Sequence, residues 1–275
     1  MNDILTDLSP THLTTAIKAN LYTFFRAFKQ SPHADFFESD TQIRWQTSIP
    51  HPWFSAALST QPPAEDVEEH INDTLAWFNT RGVRAFTWWP DTGTNHLEWE
   101  GALIPRGFTL DQNTPGMAVD FADLPASVPH PTNFTICPVE DEVALHTWTR
   151  IFMHGYGLPE AWTGDFFDLL NSLGMTLPFH HYLGYLDGNP VATSTRYLGA
   201  GVAGIYNVAT LPEARGKGIG AAITLQPLLE GREMGYRAGI LQSSDMGFRV
   251  YQRLGFKHLC QMEHFYKSLE NDSEK

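Results

Sequence analysis

The sequence predicts an α/β chain in two halves, each alternating short strands with amphipathic helices. Three stretches carry the prediction. "FADLPASVPHPTNF", Phe121 to Phe134, has three prolines and neither a helical nor a strand period, so it reads as a linker. "YLDGNPVAT" centres on Asp187-Gly188-Asn189, a hairpin turn between two strand-like runs. "NVATLPEARGKGIGAA", Asn207 to Ala222, sets Arg215-Gly216-Lys217-Gly218-Ile219-Gly220 between a strand-like run and a helical one. Glycines at such a junction cost conformational entropy, so something must need the backbone bare.

In the carboxy-terminal half, "FTICPV" reads as a strand and "EDEVALHTWTRIF" as an amphipathic helix, with "EAWTGDFFDLLNSL" a second helix. The hairpin "HHYLGYLDGNPVATSTRYL" follows, then the strand "VAGIYNVAT". "GIGAAITLQPLLEGREMG" has helical spacing, with Pro227 expected to kink it or end its regularity. "AGILQSS" is a strand, "MGFRVYQRL" a short helix and "MEHFYKSL" a closing strand. The amino-terminal half repeats part of this order. Gly82-Val83-Arg84-Ala85 aligns with Gly235-Tyr236-Arg237-Ala238, and Arg106-Gly107-Phe108 with Leu254-Gly255-Phe256, which reads as an internal duplication. Where the second half has its glycine turn, the first has "STQPPAEDVEE": two prolines without donors and four carboxylates that repel an anion. One site per chain is therefore expected. The predicted division is 1–124, a linker over 125–133, and 134–275. The aromatic runs "AWFN" and "FTWWP" of the first half read as core.

Composition narrows the function. A chain of 275 residues with 42% hydrophobic content suffices for two cores. Net charge is −13, weighted to the front: residues 1–128 hold 7 Lys and Arg against 16 Asp and Glu, residues 129–275 hold 11 against 15. Such a surface repels a phosphate backbone, so no nucleic-acid partner is expected. No apolar run approaches the roughly 20 residues of a membrane span, and "MNDILTDLSP" lacks a basic-then-apolar signal pattern. No membrane partner and a cytoplasmic location are the expectation. Cys137 and Cys260 have no metal-ligand spacing, so they read as idle thiols and no metal is expected.

The glycine turn is where chemistry enters. A helix amino terminus offers unpaired N–H groups and the positive end of the helix dipole, and glycines let an anion approach them. The Walker pattern fails because Gly218 follows Lys217. A dinucleotide fingerprint is met literally by Gly216, Gly218 and Ala221, but four residues separate it from the strand and no acidic residue ends the next strand. A third pattern, [Q/R]xxGx[G/A], is met by Arg215, Gly218 and Gly220. With the hairpin "YLDGNPVAT", the run "YNVATLPEARGKGIG" and then "YQRLGF", in that order, residues 180–266 resemble the GNAT superfamily of acyltransferases. Together with the likeness between halves, the chain resembles tandem-GNAT enzymes in which one half is degenerate.

The resemblance implies a mixed, mostly antiparallel central sheet flanked by helices, and acetyl-CoA as co-substrate. It places the pyrophosphate on the backbone of Arg215, Gly216, Lys217, Gly218, Ile219, Gly220 and Ala221. It pairs the pantetheine arm with the strand edge at Val208, Ala209 and Thr210, in the manner of an added strand. Ser244 stands where the family often has an Asn that contacts pantetheine, and Gly247 where a small residue is usual. Tyr251 matches the residue that protonates the departing thiolate. The general base is unassigned: "GIYNVAT" has no Glu, and His154, His180, His181 and Glu213 lie in neighbouring segments. Freeing an alkylammonium at pH 7 costs roughly 4.6 kcal/mol, which a base would relieve. The implied activity is transfer of an acetyl group to a small-molecule amine or a peptide amino group, by a monomer or homodimer. "HGYGLPEAWTGDFFDLL" is the expected acceptor side. The competing reading is a non-catalytic acyl-CoA sensor or scaffold.

Overall fold

Local chemistry sets most of the element ends. Asp141 caps a helix by accepting the Ala144 N–H at 2.7 Å, and Gly157 closes that helix in the left-handed region. Asp187 and Gly188 both take positive φ, as a two-residue hairpin turn requires. The structure, a computed structural model, describes residues 4–59, 67–90 and 96–269. Among these residues the first part of the chain runs α1 (Pro10–Arg26), β1 (Ala34–Glu38), β2 (Gln42–Thr47), β3 (Ser55–Ser59), α2 (Val67–Asn79), β4 (Ala85–Trp89), α3 (His96–Leu103) and β5 (Thr109–Asp120). It continues β6 (Phe134–Pro138), α4 (Glu142–Tyr156), α5 (Thr163–Leu173), β7 (Phe179–Leu186), β8 (Asn189–Gly199), β9 (Val202–Thr210), α6 (Ile219–Glu233), β10 (Ala238–Gln242), α7 (Asp245–Arg253) and β11 (Lys257–Ser268). No described helix is long and apolar enough to cross a membrane.

The chain forms two units that do not divide at one point in the sequence: Met1–Phe25 with Pro115–Cys260, and Arg26–Thr114 with Gln261–Lys275. In the first unit, the second half of β5 borders β10 and the order continues β9-β8-β7-β6. Only β9 and β10 are parallel there; the other described pairs are antiparallel. In the second unit the order is β1-β2-β3-β4, with β3 and β4 parallel and the second half of β11 beside β4. Each unit is thus the mixed, mostly antiparallel sheet that the resemblance implies.

The aligned glycines fall at equivalent places. Gly82 and Gly235 both follow a helix and precede the second strand of a parallel pair, and both take positive φ, as do Gly107 and Gly255. The final strand of each half borders the parallel pair of the other half: β5 lies beside β10, and β11 beside β4. The expectation for "STQPPAEDVEE" falls mostly on residues 60–66, outside the described ones. Phe78, Phe86 and Trp88 are fully buried with Trp99, Phe108 and Phe265, so the aromatic runs form the core of the second unit.

Helix α1 packs on the first unit, not on the half that encodes it. It fits because glycines leave room: a Cβ on Gly204 would meet Asn20 Oδ1 at 2.2 Å, and one on Gly199 would meet Thr23 Oγ1 at 2.8 Å. Asn20 is fully buried, donating to Gly199 O at 2.8 Å and accepting from Tyr206 Oη at 2.7 Å.

Helix α6 crosses the opposite face and runs through Pro227 without ending, so of the two expected effects the end does not occur. Proline has no N–H, so the Ile223 carbonyl loses its helical partner. Ser194 of β8 supplies one: its Oγ donates to Ile223 O at 2.8 Å. On the α4 face, His181 is 1% exposed and packs on Trp148, with Nδ1 2.8 Å from Thr195 Oγ1 and Nε2 unpartnered. Burial pushes its imidazole down to about 3, so the folded protein holds it neutral.

Two outcomes are expected. Ser194→Ala should cost about 1–3 kcal/mol in urea unfolding, because it leaves a buried carbonyl unpaired. Pro227→Ala, which restores an N–H, should remove at least about 1 kcal/mol of that cost, whereas additive effects would deny Ser194 the role. For His181, the unfolded chain takes up a proton near pH 6.5 that the folded chain refuses until about pH 3. Stability should therefore fall as pH drops from 6.5, by up to about 1.4 kcal/mol per pH unit from this residue, and be indifferent to it above 6.5. Unfolding of the wild type and His181→Gln between pH 7 and 4.5 should diverge accordingly; parallel curves would mean the residue is not held neutral.

Candidate active site

Strands β9 and β10 pair at only two positions, Ala203 with Gly239 and Gly204 with Ile240. Beyond them the strands part. On its other side β9 slips register against β8: Tyr206 faces Thr195 and Ala209 faces Thr193, leaving Asn207 and Val208 opposite Ser194. This is a β-bulge, and Asn207 takes φ +54°, a conformation Asn tolerates better than most residues. Its carbonyl accepts from Thr193 Oγ1 at 2.9 Å, and its Nδ2 donates to Thr195 Oγ1 at 3.2 Å.

After the bulge, the Leu211 N–H reaches Val191 O on β8, so the alternate residues Val208 and Thr210 turn their backbone groups to the open side. Two side chains meet them there. Tyr156 Oη donates to Val208 O at 3.0 Å, and Arg215 Nε donates to Thr210 O at 3.0 Å. A carbonyl oxygen has two lone pairs, so each keeps capacity for a second donor. Ala209 is buried and faces Gly155 of α4, where a Cβ would lie 2.8 Å from its own.

Strand β9 leads into the glycine turn through a short 3-10 turn over Pro212–Ala214, and the turn opens directly into α6. Its glycines have three different causes. Gly216 needs only its positive φ, with open space around it. Gly218 needs its positive φ and also the close approach of Pro129 O, which would be 2.1 Å from a Cβ. Gly220 needs neither: a Cβ there would meet only Thr210 Oγ1, at 3.7 Å. The first α6 bond runs from the Ala222 N–H to Gly218 O, and no side chain caps the helix. The N–H groups of Ile219, Gly220 and Ala221 therefore point out of an uncapped, bare helix end. This surface suits an anion. Ile219 is fully buried and Ala221 partly so, leaving only their backbone to serve it. The two cations reach back to the segments before the turn: Arg215 also donates to Gly155 O of α4 at 2.9 Å, and Lys217 donates to Glu213 O at 3.1 Å.

Tyr251 on α7 is 9% exposed, and its ring lies over Gly247, where a Cβ would come within 2.6 Å of it. That contact is why a small residue stands four positions earlier. Burial pushes the Tyr251 phenol above its ordinary range, and the phenol of Tyr156 adds to the shift. Tyr156 is 41% exposed as a residue, yet its hydroxyl end is enclosed and burial raises it to about 12. Both phenols hold their protons at neutral pH. Ser244 caps α7, accepting from the Gly247 N–H at 3.3 Å.

The candidate bases are not brought together. His154 and Glu213 are exposed, His180 stacks on Tyr182 beside Arg196 on the α6 face, and His181 is buried and neutral. Sequence reading did not single out Tyr156, Thr193, Thr195, Asn20 or Gln242. Of these, Tyr156 stood in the segment expected on the acceptor side, while Thr193, Thr195 and Gln242 stood in segments read only as strands.

Comparison with known proteins agrees with this geometry. Residues 144–256 match the family model for acetyltransferase (GNAT) proteins. No curated protein sequence matches. Among solved structures, a GCN5-related N-acetyltransferase from Kribbella flavida superposes with TM-score 0.65 at 17% identity, over 92% of this chain and 96% of that one. A GCN5-related N-acetyltransferase from Sphaerobacter thermophilus gives 0.59 at 14% identity, over 85% and 82%. A tandem GNAT protein from the clavulanic acid biosynthesis pathway gives 0.55 at 11% identity, over 98% of both chains. At these identities the likeness is one of fold, and it spans both units. Residues 144–256, which match the acetyltransferase (GNAT) family model, hold the parted strands, the glycine turn and Tyr251.

Proposed function

We propose that this protein is an acyl-CoA-dependent N-acyltransferase, moving an acetyl group from acetyl-CoA to a primary amine by direct attack, with its site in the carboxy-terminal half, 134–275. The observation that carries the reading is Gly220: a glycine that neither backbone conformation nor packing requires, at an uncapped helix end beside parted strands. A pyrophosphate would take the N–H groups of Ile219, Gly220 and Ala221, and the open edge at Val208 and Thr210 would pair with the amides of the pantetheine arm. Acetyl-CoA supplies an activated acyl thioester. A new N–C bond forms as the C–S bond breaks; the nitrogen loses a proton, and Tyr251, protonated in its buried setting, gives one to the sulfur. A sensor without catalysis remains the second reading, favoured by the strand "GIYNVAT" having no carboxylate.

Acetyl-CoA and CoA at about 100 times their dissociation constants should each stabilise the protein by about 2.7 kcal/mol in thermal unfolding, and NAD should not. Gly220→Asp should leave the ligand-free transition unchanged or slightly higher, since a carboxylate suits the first turn of a helix, yet weaken acetyl-CoA at least tenfold. Retained affinity would remove the anion role from this turn. Tyr251→Phe should lower kcat about 100-fold with the acetyl-CoA Kd within twofold of wild type. Unchanged turnover would take the acid role from Tyr251, and amine-independent behaviour throughout would favour the sensor.

A further inference from the structure

We infer that Tyr156 and Arg215 are positioning residues for the pantetheine arm of the cofactor. From the end of α4 and the start of the glycine turn they fix two outward carbonyls of β9, Val208 O and Thr210 O. This role rests on the acyl-transfer reading and adds to it the side chains that set the arm.

Helix α4 is built to deliver Tyr156 to that edge. Trp148, Phe152 and Tyr156 stand at i, i+4 and i+8, so their rings share one face. Trp148 and Phe152 stack at 5.5 Å between centroids, and Phe152 meets Tyr156 at 4.8 Å. Gly157 then ends the helix at φ +69°, its N–H returning to His154 O and that of Leu158 to Met153 O. Gly155 lets this last turn lie on β9, since a Cβ there would come within 2.8 Å of the Ala209 Cβ. A phenol held by its ring neighbour and by a closed helix end reaches Val208 O with little freedom left to lose.

Arg215 joins the same two segments. The last carbonyls of a helix lack partners within it and carry the negative end of its dipole, which a cation complements. Arg215 Nη2 meets one of them, Gly155 O, at 2.9 Å, while its Nε reaches Thr210 O at 3.0 Å. The guanidinium therefore spans from α4 to the strand edge. Arg suits the place because its nitrogens form a planar fork, whereas Lys has one nitrogen.

The order of contacts along the edge gives the direction of the arm. Gly220, at the helix end proposed for the pyrophosphate, lies beside Thr210, whose Oγ1 would be 3.7 Å from a Cβ there. An arm leaving that end passes Thr210 first and Val208 second. Val208 belongs to the bulge and packs on the apolar cluster that contains Tyr251, while its carbonyl accepts from Tyr156. Tyr156 and Tyr251 also lie within electrostatic reach of each other. The reactive end of the arm then runs between a phenol of α4 and a phenol of α7. Tyr156 takes one lone pair of Val208 O and leaves the other to an amide of the arm, which fixes where that amide and the thioester beyond it come to rest.

Calorimetric titration of the full-length protein with CoA and with adenosine 3′-phosphate 5′-diphosphate, which is CoA without its arm, tests this. Tyr156→Phe removes only a hydroxyl, and Arg215→Lys keeps the charge but gives up the fork. Each should weaken CoA about tenfold and leave the armless fragment within twofold of wild type. Damage to the fold would weaken both ligands alike, so the split between them is specific to positioning. Unchanged CoA affinity, or equal losses for both ligands, would take the role from the residue concerned; for Arg215 equal losses would return it to the phosphates. Wild-type protein that binds the fragment as tightly as CoA would overturn the inference alone. Binding of neither would sink the acyl-transfer reading with it.

Discussion

Everything at the site depends on two parallel strands that stay together for two residue pairs and then separate. A strand that leaves its neighbour frees a row of N–H and C=O groups, and such groups must be satisfied by something. On β9 that satisfaction is divided. Thr193 holds the bulged Asn207, Tyr156 and Arg215 hold the carbonyls of Val208 and Thr210, and the remaining edge stays open. The bulge is what allows this division, since one extra residue turns the backbone of the following positions away from β8. Beside that edge, the first turn of α6 has no side-chain cap.

The scaffold that fixes this opening draws on both halves of the sequence. The far side of β10 is covered by β5, encoded before the linker, and the face beside Tyr206 is covered by α1, encoded at the start of the chain. Glycines on β8 and β9 accept that helix at distances no Cβ would allow, which converts weak strand formers into a seat. On the opposite face, Ser194 replaces the hydrogen bond that Pro227 removes, and α6 continues past it to Glu233.

The chemistry available is that of neutral groups in a confined space. Burial keeps the phenols of Tyr251 and Tyr156 protonated and the imidazole of His181 unprotonated. The site can therefore give a proton to a leaving group far more readily than it can take one from an attacking amine.

Much of this was legible in the residues themselves, because it is written in local backbone requirements. The hairpin at Asp187-Gly188, the helix start after Gly218, the positive-φ glycines that align the halves, and the small residue under Tyr251 each follow from what a few consecutive residues can adopt. The bare glycine turn at the start of α6 was legible for the same reason, as was the aromatic core of the second unit. Of the edge residues named from the sequence, Val208 and Thr210 turn their backbone outward while Ala209 pairs with β8, and nothing in the sequence showed which side chains already meet that edge. Only the tertiary structure decided that α1 and β5 complete the first unit, that Tyr156 and Arg215 reach the open carbonyls, and that Tyr206 donates to Asn20. Those facts join residues up to 186 positions apart, such as Asn20 and Tyr206. No periodicity or turn preference encodes such a pair, since its free energy comes from burial and hydrogen bonding that exist only once distant segments have packed.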